Sequence, residues 1–290
     1  MYRTLISTDT LASHLDGSWV IVDCRYDLKD ERWGPEQYRS SHIPGAVHAS
    51  LSHDLAVPPS GTNGRHPLPS AEMMEATFGR LGISPDTQAA IYDQDAGMYA
   101  SRMWWMLRYL GHDAAAVLDG GWAKWLREGR AARAGEEGRP AAKFRGRPRK
   151  ELHVIVDQME AALHDPSVLL VDARAPERFE GKSEPLDRTP GHIPGAVNHF
   201  YRRNVTDEGL ILPVETLRDE FSELLGDRPP NQVVMYCGSG VTACQNLLAM
   251  EHAGLSGAKL YPGSWSEWSS DQARPVETGP AGASVTMNPS

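Results

Sequence analysis

The chain has little cysteine, no excess of positive charge and no long apolar run. Three cysteines occur in 290 residues, Cys24, Cys237 and Cys244. An odd count without a CxxC or a Cys/His ligand spacing argues against a disulfide framework and against a metal site. No apolar stretch approaches the roughly 20 residues that a bilayer-spanning helix needs. The first residues, Met-Tyr-Arg-Thr-Leu-Ile-Ser-Thr-Asp, lack the basic and long apolar regions of a secretory leader. Lys and Arg number 29 against 38 Asp and Glu, leaving a net charge of −9. That balance argues against nucleic acid or an anionic membrane as a partner. No pattern for an organic cofactor is present either. Together these absences predict a cytoplasmic, reduced protein whose thiols are available for chemistry.

What is present is a repeat. Val20-Ile-Val-Asp-Cys-Arg25 recurs as Val168-Leu-Leu-Val-Asp-Ala-Arg174, an apolar strand ending in Asp-x-Arg. Ser41-His-Ile-Pro-Gly-Ala-Val47 recurs as Gly191-His-Ile-Pro-Gly-Ala-Val197. Ala89-Ala-Ile-Tyr-Asp93 matches Val233-Val-Met-Tyr-Cys237, and Leu118-Asp-Gly-Gly-Trp matches Leu260-Tyr-Pro-Gly-Ser-Trp. Four blocks in one order mean a duplicated domain. Strand signals alternate with helical ones in each half. Helices are predicted from Thr8 to Leu15 (capped by Ser7 or Thr8), from Ala71 to Leu81 after Ser70, and from Ser101 to Leu110. The fold class is therefore α/β, with an open, mainly parallel sheet in each half and helices on both faces. The boundaries read as 1–128 for the first domain, a Gly-, Pro- and Arg-rich linker over 129–150, a second domain over 151–275 and a flexible tail over 276–290. The tryptophans at 104, 105, 122, 125, 265 and 268 read as packing residues.

The chemistry concentrates at 233–250. Val233 to Tyr236 reads as a buried strand, and Ala243 to Met250 as a helix. Between them stands Cys237-Gly-Ser-Gly-Val-Thr242. Backbone N–H groups converging on a cysteine at a strand's carboxyl end, with a helix N-terminus behind, favour thiolate over thiol. Cys237 should titrate below the free-cysteine value of about 8.5. Ligands of open α/β sheets sit at that same end of the strands. The aligned residue in the first half is Asp93, a carboxylate in place of the thiol. That half should be catalytically silent.

The repeat, the two His-Ile-Pro-Gly-Ala boxes and the Cys-Gly-Ser-Gly-Val-Thr loop together resemble the two-domain rhodanese family, in particular its mercaptopyruvate-using sulfurtransferase branch, over about residues 1–275. The resemblance implies two tandem rhodanese-like domains and a Cys237 nucleophile that takes a sulfane sulfur from 3-mercaptopyruvate as a persulfide. A thiol, a thioredoxin-like protein or cyanide then accepts it. It implies that the N–H groups of Gly238, Ser239, Gly240, Val241 and Thr242 cradle the persulfide, and that Arg178 and Arg188 bind the donor's carboxylate. Ser239 and His66 are implied as helpers of proton delivery. The acidic partner of that His falls at Ser52, with Asp54 two residues on as its candidate replacement.

Other residues read as structural. His42 and His192 occur in both boxes, including the silent one, and read as hydrogen-bonded turn residues. Asp23 with Arg25 and Asp172 with Arg174 read as structural ion pairs. Tyr99 and Arg102 read first as structural, with a reach toward the site as the alternative. Cys244 reads as a buried helix cysteine, with a resolving thiol as the alternative. Thiosulfate is the competing donor, disfavoured because Gly238 stands where that branch carries a basic residue. A cysteine-type phosphatase would need Cys-x5-Arg, and Ala243 occupies the arginine's position. A non-catalytic sulfur-carrier or binding module would be expected to lack the cysteine in both halves.

Overall fold

The computed structural model describes residues 1–281 and 285–286. The chain divides into two units. The first comprises Met1–Val57, Pro69–Arg149 and Val205–Ile211; the second comprises Pro58–Leu68, Lys150–Asn204 and Leu212 onward.

The first unit runs β1 (Leu5–Ile6), α1 (Thr8–Ala12), β2 (Val20–Asp23), α2 (Trp33–Ser40), β3 (Ala46–His48), α3 (Ala71–Arg80), β4 (Ala89–Tyr92), α4 (Ala100–Tyr109), β5 (Ala115–Leu118) and α5 (Gly121–Arg127). Its sheet has the order β1-β5-β4-β2-β3 and every pairing is parallel. The second unit runs α6 (Val156–Ala162), β6 (Leu169–Asp172), α7 (Pro176–Phe179), β7 (Val197–Asn198), α8 (Val214–Leu225), β8 (Val233–Tyr236), α9 (Ala243–His252), β9 (Lys259–Leu260), α10 (Ser264–Trp268), β10 (Val276–Glu277) and β11 (Val285–Thr286). Its main sheet, β7-β6-β8-β9, is also parallel, and a parallel bridge from His153 to Leu260 stands where β1 stands in the first unit.

Every residue of β2, β4, β5, β6 and β8 is buried. Such strands are almost wholly apolar rather than alternating, Asp23 and Asp172 at the ends of β2 and β6 excepted, because helices cover both faces of a parallel sheet. The helix starts follow local chemistry. Ser7 Oγ accepts the Thr10 N–H at 3.1 Å, and Ser70 Oγ accepts the Met73 N–H at 3.3 Å.

The Asp-x-Arg blocks form one structural device built twice. Asp23 pairs with Tyr92 across β2 and β4, and Asp172 pairs with Tyr236 across β6 and β8. Arg25 Nη2 donates to Asp23 at 2.6 Å and to the Ser41 carbonyl at 2.7 Å; Arg174 Nη2 donates to Asp172 at 2.7 Å and to the Gly191 carbonyl at 2.6 Å. Arg25 lies 4.7 Å from the Trp122 ring centre and Arg174 lies 4.8 Å from that of Trp265. Each pair thus ties a strand end to its His-Ile-Pro-Gly turn and to the tryptophan of the last block. The box histidines are turn residues in both units: His42 Nδ1 meets the Tyr38 carbonyl and His192 Nδ1 meets the Phe179 carbonyl, each at 2.7 Å. The tryptophans at 104, 105, 122, 125, 265 and 268 are all buried.

The segment 129–149, expected as a solvated linker, lies on the first unit instead. Arg133 and His42 exchange backbone hydrogen bonds, Ala142 N–H donates to Gly79, and Arg147 and Arg149 donate to Leu110 and Tyr109. Phe144 supplies the apolar anchor, with its ring 5.4 Å from that of Phe78. One buried aromatic and a row of satisfied backbone groups outweigh the polar composition that suggested a free strand. Within 276–290, Val276 and Glu277 are buried and His192 exchanges backbone hydrogen bonds with Glu277. Residues 282–284 and 287–290 of that expected tail lie outside the described residues.

Because Asp23 and Arg25 are 0 and 2% exposed, removing one charge strands the other without water. Asp23→Asn is expected to destabilise the first unit by about 3–5 kcal/mol, read as a lowered transition in thermal unfolding.

Candidate active site

β8 delivers Cys237 at its carboxyl end, and the loop to Thr242 leads into α9. Cys237 is 2% exposed. Burial pushes its thiol pKa up. Hydrogen bonds from the Thr242 hydroxyl and from the N–H groups of Ala243 and Ser239 outweigh burial, although nearby Asp172 opposes them, and the net shift is downward. The direction matches the expectation for a thiolate-favouring loop. Ser239 N–H comes from the expected cradle, whereas Ala243 N–H lies one residue beyond it. Gly240 adopts φ +72°, and a Cβ there would meet the Pro262 carbonyl oxygen at 2.4 Å. The loop can close this tightly only with glycine at that position.

Ser264 completes the loop's support. Its Oγ accepts the Cys237 N–H at 3.1 Å and donates to the Tyr261 carbonyl at 2.9 Å. It stands at φ +55°, and Gly121 at the matching place of the first repeat stands at φ +51°. The next residue does the same work in both: Trp265 N–H donates to the Cys237 carbonyl and Trp122 N–H to the Asp93 carbonyl, each at 2.9 Å. A non-glycine residue in this left-handed region costs about 1–3 kcal/mol, and here its hydroxyl holds the Cys237 backbone. The readable signal was the mismatch between Gly121 and Ser264 in otherwise aligned blocks.

Asp93 shows what the same loop does with a carboxylate. It is 1% exposed and accepts N–H bonds from Tyr99 at 2.7 Å, Gly97 at 3.0 Å, Ala100 at 3.1 Å and Asp95 at 3.2 Å. Burial pushes its pKa up to about 6 against the pull of the Ala100, Tyr99 and Gly97 N–H groups, with Asp95 adding to the rise. The anion cradle of the first half is therefore filled from within the chain. Arg102 is fully buried and donates to the Leu55 carbonyl at 3.3 Å, and Tyr99 packs edge-on against Tyr26. Both contacts lie inside the first unit.

Several charged residues meet beside the Cys237 loop. Glu184 bridges Arg174 (3.1 Å) and Arg178 (2.7 Å), and Asp187 bridges Arg178 (3.4 Å) and Arg65. Arg65 N–H donates to Ser266 Oγ at 3.0 Å, and Ser266 N–H donates to the Gly238 carbonyl at 2.9 Å. His66 Nδ1 lies 2.8 Å from Ser239 Oγ. The structure thus brings together Cys237, Ser239, His66, Gly238 and Arg178 of the expected set. Arg188 is exposed and lines a cavity of about 370 Å³ together with Arg65 and Asp187. Asp54 is committed elsewhere: one oxygen accepts Arg80 and the other accepts the Ser50 N–H at 2.8 Å. Ser52 Oγ meets the Tyr26 hydroxyl at 2.5 Å. Cys244 is buried and its thiol faces the Gly240 carbonyl at 3.3 Å. Among the described residues no group of His, Cys, Asp and Glu forms a metal site, and no helix is long and apolar enough to cross a membrane.

Two predictions follow from these electrostatics. Thr242→Val removes one donor to the sulfur; a hydrogen bond to a charged group is worth about 1.5–3 kcal/mol, or roughly one to two pKa units. The midpoint of Cys237 alkylation by iodoacetamide against pH should move up accordingly. Asp93 has a folded pKa above its unfolded one, so its contribution to stability is complete only below about pH 4 and is lost as pH rises through about 6. Asp93→Asn should remove up to about 3 kcal/mol of that dependence, seen as a flatter plot of unfolding temperature against pH.

The rhodanese-like domain pattern matches residues 7–128 and 156–271. A probable 3-mercaptopyruvate sulfurtransferase of Pseudomonas aeruginosa is 42% identical over 278 residues, 95% of this chain and 98% of that one. A putative thiosulfate sulfurtransferase of Mycobacterium tuberculosis is 37% identical over 269 residues, 90% of this chain and 91% of that one. The solved structure of 3-mercaptopyruvate sulfurtransferase from Leishmania major superposes with a TM-score of 0.81 at 32% identity, covering 92% of this chain and 74% of that one. With two matched domains, full-length relatives and the duplicated parallel sheets, the chain belongs to the rhodanese family.

Proposed function

We propose that the chain is a sulfurtransferase that takes sulfane sulfur from 3-mercaptopyruvate onto Cys237 and passes it to a thiol or to cyanide. The observation that carries this reading is the buried, thiolate-favouring Cys237 next to half-buried Arg178 and a Ser239–His66 pair. In the first half-reaction the Cys237 thiolate attacks the donor's sulfur. An S–S bond forms, the C–S bond breaks, and its electrons leave as the enolate of pyruvate. Ser239, hydrogen-bonded to His66, delivers a proton toward that carbanion. The N–H groups of the Gly238–Thr242 loop and of Ala243 hold the persulfide anion. In the second half-reaction an acceptor thiolate or cyanide takes the outer sulfur and Cys237 leaves as thiolate.

Arg178 is assigned to the donor's carboxylate, with Arg188 at the cavity rim drawing the anion in. Gly238, Gly240, Val241 and Thr242 are assigned to the cradle. No metal or organic cofactor takes part in this scheme. The cytoplasm, as a reducing compartment, suits a reaction whose acceptors are thiols. Thiosulfate is the second reading, supported by the donor named for the Mycobacterium tuberculosis relative. The expectation is a much larger kcat/KM for 3-mercaptopyruvate than for thiosulfate, measured side by side with cyanide or a dithiol as acceptor. Cys237→Ser should abolish transfer from both. A preference for thiosulfate would move the chain to the other branch, and activity surviving in Cys237→Ser would remove the mechanism.

A further inference from the structure

We infer that Asn204 is a positioning residue for the proposed reaction: through a ring of buried hydrogen bonds it locks the start of α9, which carries donors to the Cys237 sulfur, to the end of β6. The inference rests on the reading of Cys237 as the sulfur-bearing nucleophile and assigns to that same site a support that lies outside every repeated block.

Asn204 ends the 3-10 helix Tyr201–Asn204 and is fully buried, as are Gln245 and Asn246 in α9, while His199 is almost so. The bonds among them follow from one fixed point. The His199 backbone carbonyl can only accept, so Asn246 Nδ2 donates to it, at 2.8 Å. That turns Asn246 Oδ1 toward Asn204 Nδ2, which donates to it at 2.7 Å and to Gln245 Oε1 at 2.8 Å. Asn204 Oδ1 then faces His199 Nε2 at 2.9 Å, so that nitrogen carries the proton. The ring is tied to the sheet by its backbone, because His199 N–H donates to the Asp172 carbonyl at 3.0 Å. A buried amide network of this kind is rigid when complete and costly when broken.

The ring reaches the nucleophile through α9. Gln245 N–H donates to the Thr242 carbonyl at 3.1 Å, and Thr242 and Ala243 supply two of the three donors to the Cys237 sulfur. The first half provides the comparison. Its backbone link recurs, with Ala49 N–H donating to the Asp23 carbonyl at 2.9 Å. The amides do not recur: Ser101 and Arg102 stand at the places of Gln245 and Asn246, and Arg102 donates to the Leu55 carbonyl instead. The side-chain ring thus accompanies the thiol and not the carboxylate. Gln245 Nε2 has no acceptor among the described residues. A core built for stability alone would be better served by apolar side chains than by an amide left half-satisfied. Here the oxygen of that amide helps to orient Asn204.

The test is the pH dependence of Cys237 alkylation by iodoacetamide, with steady-state kinetics on 3-mercaptopyruvate and thermal unfolding alongside. The variants are Asn204→Leu, Asn246→Leu, His199→Phe and, as a core control, Leu225→Ala at the buried last residue of α8. Asn204→Leu is expected to raise the alkylation midpoint by roughly half to one pH unit, since two donors are displaced and not removed. Below that midpoint kcat should fall roughly 3- to 10-fold with KM nearly unchanged, following the thiolate fraction, and should recover as pH rises past it. Asn246→Leu should shift the midpoint likewise, and the double variant no further, because both break one ring. His199→Phe leaves the bonds to α9 in place and should give a smaller shift of the same sign; it carries the test if Asn204→Leu does not fold. Leu225→Ala should lower the unfolding temperature without moving the midpoint. An unchanged midpoint in the Asn204 and His199 variants would overturn the positioning role while leaving the sulfurtransferase reading intact. A shift of equal size in Leu225→Ala would make the effect one of lost stability and overturn the role as well. A raised midpoint in Asn204→Leu, where the wild type turns over neither 3-mercaptopyruvate nor thiosulfate, would remove the donor reading and keep the ring's hold on Cys237.

Discussion

The structure depends on holding an anion where water is scarce. A sulfur 2% exposed at the end of a parallel strand would ordinarily stay protonated. Here three donors, the Thr242 hydroxyl and the Ser239 and Ala243 N–H groups, reverse that preference. The loop can present them because Gly240 turns against Pro262 and because Ser264 accepts the nucleophile's own N–H. Each of those contacts needs the strand end to be stationary. The Asp172–Arg174 pair, bonded to the Gly191 carbonyl and stacked on Trp265, supplies that rigidity from below.

The two halves show that the scaffold and the chemistry are separable. The first unit has the same ion pair, the same turn histidine, the same tryptophan contact and the same strand register. Its cradle holds the carboxylate of Asp93, which occupies the N–H donors permanently. A thiolate in that position gains and loses a sulfur; a carboxylate only satisfies the loop. Gly121 in place of Ser264 fits this contrast, since the first loop retains the left-handed turn without the hydroxyl.

Much of this was legible because it is written in local pattern. The four repeated blocks located the strand ends, the box turns and the reactive loop, and the apolar strands announced a doubly covered parallel sheet. The pairing of His66 with Ser239 and the nearness of Arg178 to the loop were reachable only through resemblance to a known family, since neither follows from spacing. What escaped was long-range. Arg65 has no motif around it, and its approach to Gly238 depends on where the segment 58–68 comes to lie. The docking of 129–149 on the first unit rests on Phe144, one aromatic in a run that is otherwise Gly, Pro, Ala and charged residues. The commitment of Asp54 to Arg80 likewise depends on α3, which sequence proximity to Ser52 does not reveal.

The central claim is that Cys237 alone carries the transferred sulfur. Mass spectrometry of the protein after 3-mercaptopyruvate, with no acceptor present, tests it most directly. The account predicts a gain of one sulfur atom per chain, on the peptide containing Cys237, released on adding a thiol. No adduct, or an adduct on Cys24 or Cys244 with Cys237 unmodified, would contradict it.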